Sequence, residues 1–340
     1  PELRHTSAMQ ALPASHRERP IAFHGDGLTA RAAARPPRAV LAVESIGYLL
    51  PAGDFVGDVH SVFARACNVA YGNLLLTLVA PGFGDGPTTL RLGHDVPTDL
   101  RHLFRPGDRV RSQVGSSLSR GITLDLANAT VWRPAPLRPF VPVAQITVNM
   151  GLAGAVLACR RRTHSSVIDR DGGDALAGLA QACRELDVGR ALPHVDRLVG
   201  WGEGLTPAGD DVLVGWCAAL CALVGDCSDR THFLRGFSAA IVARTRRTTP
   251  IAAHYLRLAA QGHFNADVTR LRDALLCKHD LIFVESALDA ALAVGATSGA
   301  DMVTGMIAGI AAWPAGNPGV ESARQPDRLG YLTPDRALRI

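Results

Sequence analysis

Lysine is almost missing from this chain of 340 residues: Lys278 stands alone, and arginine carries nearly all the positive charge. The formal net charge is +4. Six arginines between positions 1 and 40, set against Glu2, Glu18 and Asp26, account for +3 of it and leave +1 for the remainder. No broad basic field is present, so nucleic acid is not an expected partner. Cys-x-x-Cys pairs are absent, and seven cysteines is an odd number. Cys217 and Cys221 lie one helical turn apart in an apolar run, as buried, reduced thiols do. A cytoplasmic location is the expectation. The first residues lack the apolar segment of a signal peptide. No stretch reaches the ~18 uninterrupted apolar residues of a membrane span, so no membrane role is expected. The apolar runs at 215–224 and 302–313 are short enough to be core helices.

Several catalytic signatures are also absent. There is no Gly-x-Ser-x-Gly and no His-Glu-x-x-His. The glycines of "GFGDG" at 82–86 read as a turn, because no Gly-Lys-Ser/Thr follows. "GWGEG" at 200–204 lacks the strand–turn–helix setting of a dinucleotide site.

What remains is a hydrophobic chain, 47% apolar, with ample material for a core. Residues 1–40 are rich in Ala, Arg and Pro without apolar periodicity, and read as a poorly ordered extension. From 41 to 136 come short segments rich in Val, Leu, Ile and Thr: "AVLAVESIGYLL", "VHSVFARACNVAY", "NLLLTLVAP", "TTLRLG", "DRVRSQVG" and "GITLDLANATVW". Gly, Pro, Asp and Asn separate them, as in an antiparallel sandwich or barrel. The Pro-rich "RPAPLRPFVP" at 133–142 is the expected join. Beyond it, Ala- and Leu-rich segments take helical periodicity at 149–161, 173–186, 207–225, 230–246, 250–261, 265–275, 280–293 and 299–313. The expected fold is α+β: an N-terminal antiparallel β module, then a C-terminal α-helical module over 137–315, then a tail at 316–340.

The chemistry concentrates in "GWGEGLTPAGDDVLVGW", which starts at Gly200. Thr206 followed by Pro207 predicts a hydroxyl N-cap and proline at the first helical position. Asp210 and Asp211 then fall in the first turn, where carboxylates suit the helix dipole. Capping explains one aspartate and not two, since adjacent helical residues point about 100° apart. The segment that follows is apolar on every face and therefore buried. Carboxylates beside it need a partner, a hydrogen bond or a cation.

"GATSGADMVTGMIAGI" at 295–310 has a similar build. Gly209, Asp211 and Gly215 share the spacing of Gly299, Asp301 and Gly305. Glycine within a helix costs about 1 kcal/mol relative to alanine, and a close helix crossing would offset that cost. The spacing also occurs at Gly172, Asp174 and Gly178 before an ordinary amphipathic helix, so it is not decisive alone. A crossing would bring both helix entrances together, with Asp210, Asp211 and Asp301 as catalytic candidates. The same three are the candidate ligands for a metal; no cofactor is otherwise indicated, and Mg²⁺ is the ion these carboxylates would suit. Unpaired N–H groups at the entrances suit a small anion. Gly204, Thr206, Gly209, Thr297, Ser298 and Gly299 are its candidate contacts, and "RTRRTTP" adds Arg246, Arg247, Thr248 and Thr249. A solvated helix end explains that arginine run equally well. His60, on an expected strand, is an additional candidate, although a structural histidine is the simpler reading.

"GWGEGLTPAGDDVLVG", "RRTTPIAAHYLRLAAQG" and "GATSGADMVTGMIAG", with "GDVHSVFARACNV" upstream, resemble a bacterial domain-of-unknown-function family that includes the AllH subunit of oxamate carbamoyltransferase. The resemblance covers 45–315. It implies a part in carbamoyl transfer between oxamate and phosphate during allantoin catabolism, with protein partner subunits or a homo-oligomer. This chain carries Ala208 and Ala252 where the family usually has serine, so a related small acid is also admissible as substrate. Three functions are thus in play. An enzyme subunit handling oxamate, oxalurate or carbamoyl phosphate ranks first, a non-catalytic scaffold second and a metal-dependent hydrolase third.

Overall fold

Alternation of side chains builds the N-terminal half. In β1 (Val40–Gly47), Leu41, Val43 and Ser45 turn inward while their neighbours face outward. Period-2 burial of this kind is what a sheet with one enclosed face requires. The computed structural model describes residues 40–50, 53–113 and 121–313. The expected extension at 1–40, apart from Val40, and the expected tail at 316–340 lie outside the described residues.

Seven further strands follow: β2 (Val56–Val62), β3 (Ala66–Tyr71), β4 (Leu74–Val79), β5 (Thr89–Leu92), β6 (Arg109–Gln113), β7 (Ile122–Asp125) and β8 (Thr130–Trp132). Their order is β5-β4-β3-β2-β6-β7-β1-β8, and β5 also pairs with β1. Seven strands therefore close into a barrel, which leaves no open edge among them. β8 extends beside the end of β1, beyond its pairing with β7. Val69, Leu76, Leu78, Leu90, Leu92 and Leu124 fill the interior. The barrel is as expected, but the sheet is mixed rather than wholly antiparallel. β1 runs parallel to β7 and β8, β4 to β5, and β6 to β7. An alternating pattern specifies the inward face, and strand direction leaves no mark on it. Two of the expected segments each contain two strands. "VHSVFARACNVAY" folds back through Phe63–Ala66 (N–H to carbonyl, 2.7 Å) without Gly or Pro to announce the turn, and Leu126–Ala129 separates β7 from β8.

The helical region holds α1 (Val143–Arg161), α2 (Val167–Asp171), α3 (Gly173–Glu185), α4 (Val188–Leu198), α5 (Ala208–Leu223), α6 (Ser228–Arg244), α7 (Pro250–Ala260), α8 (Ala266–Cys277), α9 (Leu281–Leu292) and α10 (Ser298–Ala312). Two of these were not expected. α2 is a single short turn, held by a capping box between Ser166 and Asp169. α4 contains Pro193, normally a helix breaker, yet it buries Ala191, Val195 and Leu198 on one stripe. α1 is the one described helix long and apolar enough to cross a membrane, at 19 residues with a mean hydropathy of 1.3. It packs through Ile146, Asn149 and Ala153 and leaves Val143 and Val148 exposed.

At the centre, α5 crosses α10. A Cβ placed on Gly215 would sit 1.9 Å from the Met302 carbonyl oxygen, and one on Gly305 would sit 1.9 Å from that of Val212. The contact is reciprocal, because Val212 and Met302 each precede the glycine of their own helix by three residues. Close approach of this kind is the compensation expected for glycine inside a helix. Both helices are buried along most of their length, as their all-round apolar sequence requires.

All described residues belong to one compact unit. Barrel and helices meet through Thr88 Oγ1 and His254 Nε2 (3.0 Å), and through Tyr48 Oη and His263 Nδ1 (2.8 Å). The Ala266 N–H also donates to the Asp85 carbonyl at 2.8 Å.

Candidate functional site

The crossing of α5 and α10 sets their N-terminal ends beside each other. Thr206 Oγ1 and Ser298 Oγ, one from each entrance, lie 2.9 Å apart. Thr206 therefore does not cap its own helix. Pro207 occupies the N-cap position of α5 and Thr297 that of α10, and neither side chain makes a capping hydrogen bond. The loop before α5 turns through Gly200, Gly202 and Gly204, all at positive φ (76°, 117° and 95°). Only glycine adopts such a run without strain.

The three aspartates have separate environments. Asp210 is buried and accepts the Gly200 N–H at Oδ1 (2.9 Å) and the Thr248 hydroxyl at Oδ2. It ties the glycine loop to the start of α7. Asp301 is fully buried; its Oδ1 takes Arg161 Nη2 (2.9 Å) and Ser166 Oγ (2.7 Å). Burial nevertheless outweighs these bonds and raises its carboxyl above the usual range.

Asp211 lies between the two entrances. Hydroxyls of Ser298 and Thr206 bond to its carboxylate, and Oδ2 is enclosed without a hydrogen-bond partner. Burial pushes its carboxyl well above the ordinary range; the two hydroxyls pull it back, and the charges of Asp301 and Asp210 add to the rise. Desolvation and like charge both favour the protonated form. Tyr255, on α7, feels the Asp211 charge and bonds Thr77 of β4.

Several candidate contacts have internal roles instead. The Gly209 and Gly299 N–H groups already donate to the Trp201 and Val294 carbonyls (2.8 and 3.0 Å). Neither glycine offers a free donor, and each packs against the preceding helix. Thr249 caps α7, accepting the Ala252 N–H at 3.1 Å, and donates to the Leu205 carbonyl. Thr297 bonds Asp301. Arg247 holds Asp196 of α4 (2.7 Å), as does Arg244 (2.7 and 2.9 Å). Arg246 lines a separate cleft with Thr248, His254 and Arg257. His60 stays exposed on β2, bonded to Ser61 at 3.2 Å. The structure thus brings together Thr206, Asp211 and Ser298, with Asp210 and Asp301 behind them.

These carboxylates do not converge as a ligand set. Among the described residues, no group of three or more His, Cys, Asp or Glu side chains is arranged to hold a metal ion. Asp210, Asp211 and Asp301 therefore do not gather as one three-carboxylate set. The reason is angular: Asp210 turns toward the glycine loop, and Asp301 toward Arg161.

Two family models match the chain. Residues 198–310 match the oxamate carbamoyltransferase subunit AllH, and residues 38–131 match the AllH family N-terminal domain. The chain belongs to the AllH family. Its C-terminal match begins at the end of α4 and spans the whole α5–α10 crossing, so the site just described lies within it. The N-terminal match is the barrel. As AllH is a subunit of oxamate carbamoyltransferase, the chain is a subunit of a carbamoyl-transfer complex and has protein partners. No solved structure matches the chain.

Sequence reasoning did not find Arg161, Ser166, Tyr255 or Asp196. Arg161 and Ser166 reach Asp301 from a helix end and a cap far away in the chain, where no motif marks them. Tyr255 carried a weak signal: it lies within the same "RRTTPIAAHY" string as the threonines.

Proposed function

We propose that this AllH-family chain is the part of a carbamoyl-transfer enzyme that holds a small acid of the oxamate or oxalurate class at the joined entrances of α5 and α10. The observation that carries this is Asp211 Oδ2, enclosed and unpartnered between two helix N-termini that lack side-chain caps. Helix N-termini favour negative charge. An ionised aspartate there would repel an anion; a protonated one donates a hydrogen bond to it. The raised Asp211 carboxyl supplies that donor, and the Ser298 and Thr206 hydroxyls fix its orientation. Allantoin catabolism is the setting that fits such a substrate. All seven cysteines are free, which fits a reducing cytoplasm.

Calorimetric titration of the full chain with oxamate and with oxalurate tests this. Binding should weaken as pH rises through the Asp211 ionisation. Asp211→Asn, which keeps a donor but cannot ionise, should bind with little pH dependence, and Asp211→Ala should lose binding. Undiminished binding by Asp211→Ala would overturn the proposal.

A second function, that of a scaffold subunit, draws support from the internal bonds of Asp210, Asp301, Arg247, Gly209 and Gly299. In that case neither acid alters the melting temperature of the isolated chain, whereas a bound ligand at a hundred times its Kd adds about 2.7 kcal/mol. The hydrolase alternative loses its support, because the carboxylates do not form a metal-ligand set.

A further inference from the structure

The basic run "RTRR" divides into two faces. Arg244 and Arg247 both pair with Asp196. Arg246 lines an open cleft of about 320 Å³ between the β3–β4 turn and the first turns of α7. Arg257 of α7 lines the same cleft, and Asn73, Thr245, Thr248 and His254 complete its polar lining. Among the described residues, neither Arg246 nor Arg257 makes an ion pair or a side-chain hydrogen bond.

We propose that this cleft is a second binding site, distinct from the α5/α10 entrance, for a phosphate-type dianion, free or carried on a small molecule. Two guanidinium groups with no ion pair among the described residues present planar donor forks that match an oxyanion. Two positive charges favour a dianion over a monoacid such as oxamate. His254 adds no third charge. Its Nε2 is engaged with Thr88 Oγ1 at 3.0 Å, and burial, aided by the neighbouring Arg257, pushes its pKa down to about 4. It stays neutral at pH 7 and contributes shape. The volume is at the lower end for small-molecule sites, which suits phosphate or a compact phosphorylated molecule. Thr248 belongs to both places: it lines the cleft and donates to Asp210, which braces the glycine loop before α5.

The test is titration of the full chain with inorganic phosphate, acetyl phosphate and sulfate, at low and moderate salt. Phosphate should bind, with affinity falling as salt rises. Arg246→Ala and Arg257→Ala should each weaken binding tenfold or more. Arg235→Ala, an exposed arginine of α6, should leave it unchanged. Acetyl phosphate binding more tightly than phosphate would assign the site to a phosphorylated molecule, and the reverse to free phosphate; either supports the proposal. Asp211→Asn should not affect phosphate binding, so failure at the α5/α10 entrance and failure here are separable. Absent phosphate binding, or binding unaltered in both cleft variants, or equal loss in Arg235→Ala, would overturn it.

Discussion

Adjacent positions on a helix point about 100° apart, and Asp210 and Asp211 use that angle for different tasks. Asp210 satisfies the Gly200 N–H and the Thr248 hydroxyl. Asp210→Ala would leave both donors without their acceptor, at a cost of about 1–3 kcal/mol for each that stays buried. Urea unfolding of the variant measures that loss. Asp211 should behave in the opposite way. Its carboxyl is harder to ionise in the folded chain than in the unfolded one. As pH rises past about 4, the unfolded state loses this proton first, so stability falls until Asp211 itself ionises in the folded state. Asp211→Asn removes that contribution. The variant should equal or exceed the parent in stability at pH 8, with the difference vanishing toward pH 4. A variant less stable than the parent at pH 8 would refute the assigned environment. The doubled carboxylate beside a buried run marked both aspartates as candidates. Which of the two points at its neighbour helix was not legible, because that depends on where Ser298 and Thr248 lie.

At the scale of helices, α5 and α10 form the spine of the helical region. Alanine at Gly215 or Gly305 would press a methyl group into a carbonyl oxygen of the opposite helix, 1.9 Å away, and backbone cannot yield as a side chain does. Each substitution should cost about 3 kcal/mol or more, beyond the usual range for overpacking. Gly151 in α1 is the control, since a Cβ there meets nothing within 4 Å. Gly151→Ala should stabilise by about 0.5–1 kcal/mol through helix propensity. Denaturant midpoints for the three variants decide the matter, and similar shifts for all of them would contradict the crossing. This crossing was foreseeable because the pattern of glycines and aspartate occurs twice ahead of fully apolar helices. The same spacing at Gly172, Asp174 and Gly178 leads instead to α3, an amphipathic helix with Leu179 and Cys183 on its buried stripe. What separates the cases is the apolar character of the following helix. α4 escaped notice for the reverse reason: Pro193 reads as a break, and only its packed stripe shows that the helix persists.

Across the whole molecule, the barrel and the helices share an interface with buried titratable groups. His254 contacts Thr88, and His263 contacts Tyr48. Burial depresses both imidazoles, and that of His254 falls to about 4. An unfolded histidine takes up its proton near pH 6.5. Between pH 6.5 and 4 the unfolded chain therefore binds more protons at this position, and stability declines as pH falls. The contribution of His254 is up to about 3 kcal/mol. Unfolding followed from pH 7 to pH 4 should show a steeper loss for the parent than for His254→Gln, which stays neutral and can still bond Thr88. Parallel curves would mean that this interface does not bury the imidazole.

The sequence alone determined those features that local chemistry controls. Alternating Val, Leu and Ile with turn residues specified a β module, sandwich or barrel. Helical periodicity placed most of the helices, and two apolar runs behind Gly–Asp entrances marked the helices that must cross. The strings around Gly204, Thr248 and Gly299 already resembled the AllH family, to which the chain belongs. Tertiary structure alone decided strand direction, because one buried face looks the same in either direction. It also decided the fate of each charge. Arg161 reaches Asp301, Arg247 turns to Asp196, Arg246 pairs with no carboxylate among the described residues, and Asp211 keeps an unpartnered oxygen. A side chain's partner is whichever group the fold carries to within about 3 Å of it, and pairs far apart in the chain leave no trace in local pattern.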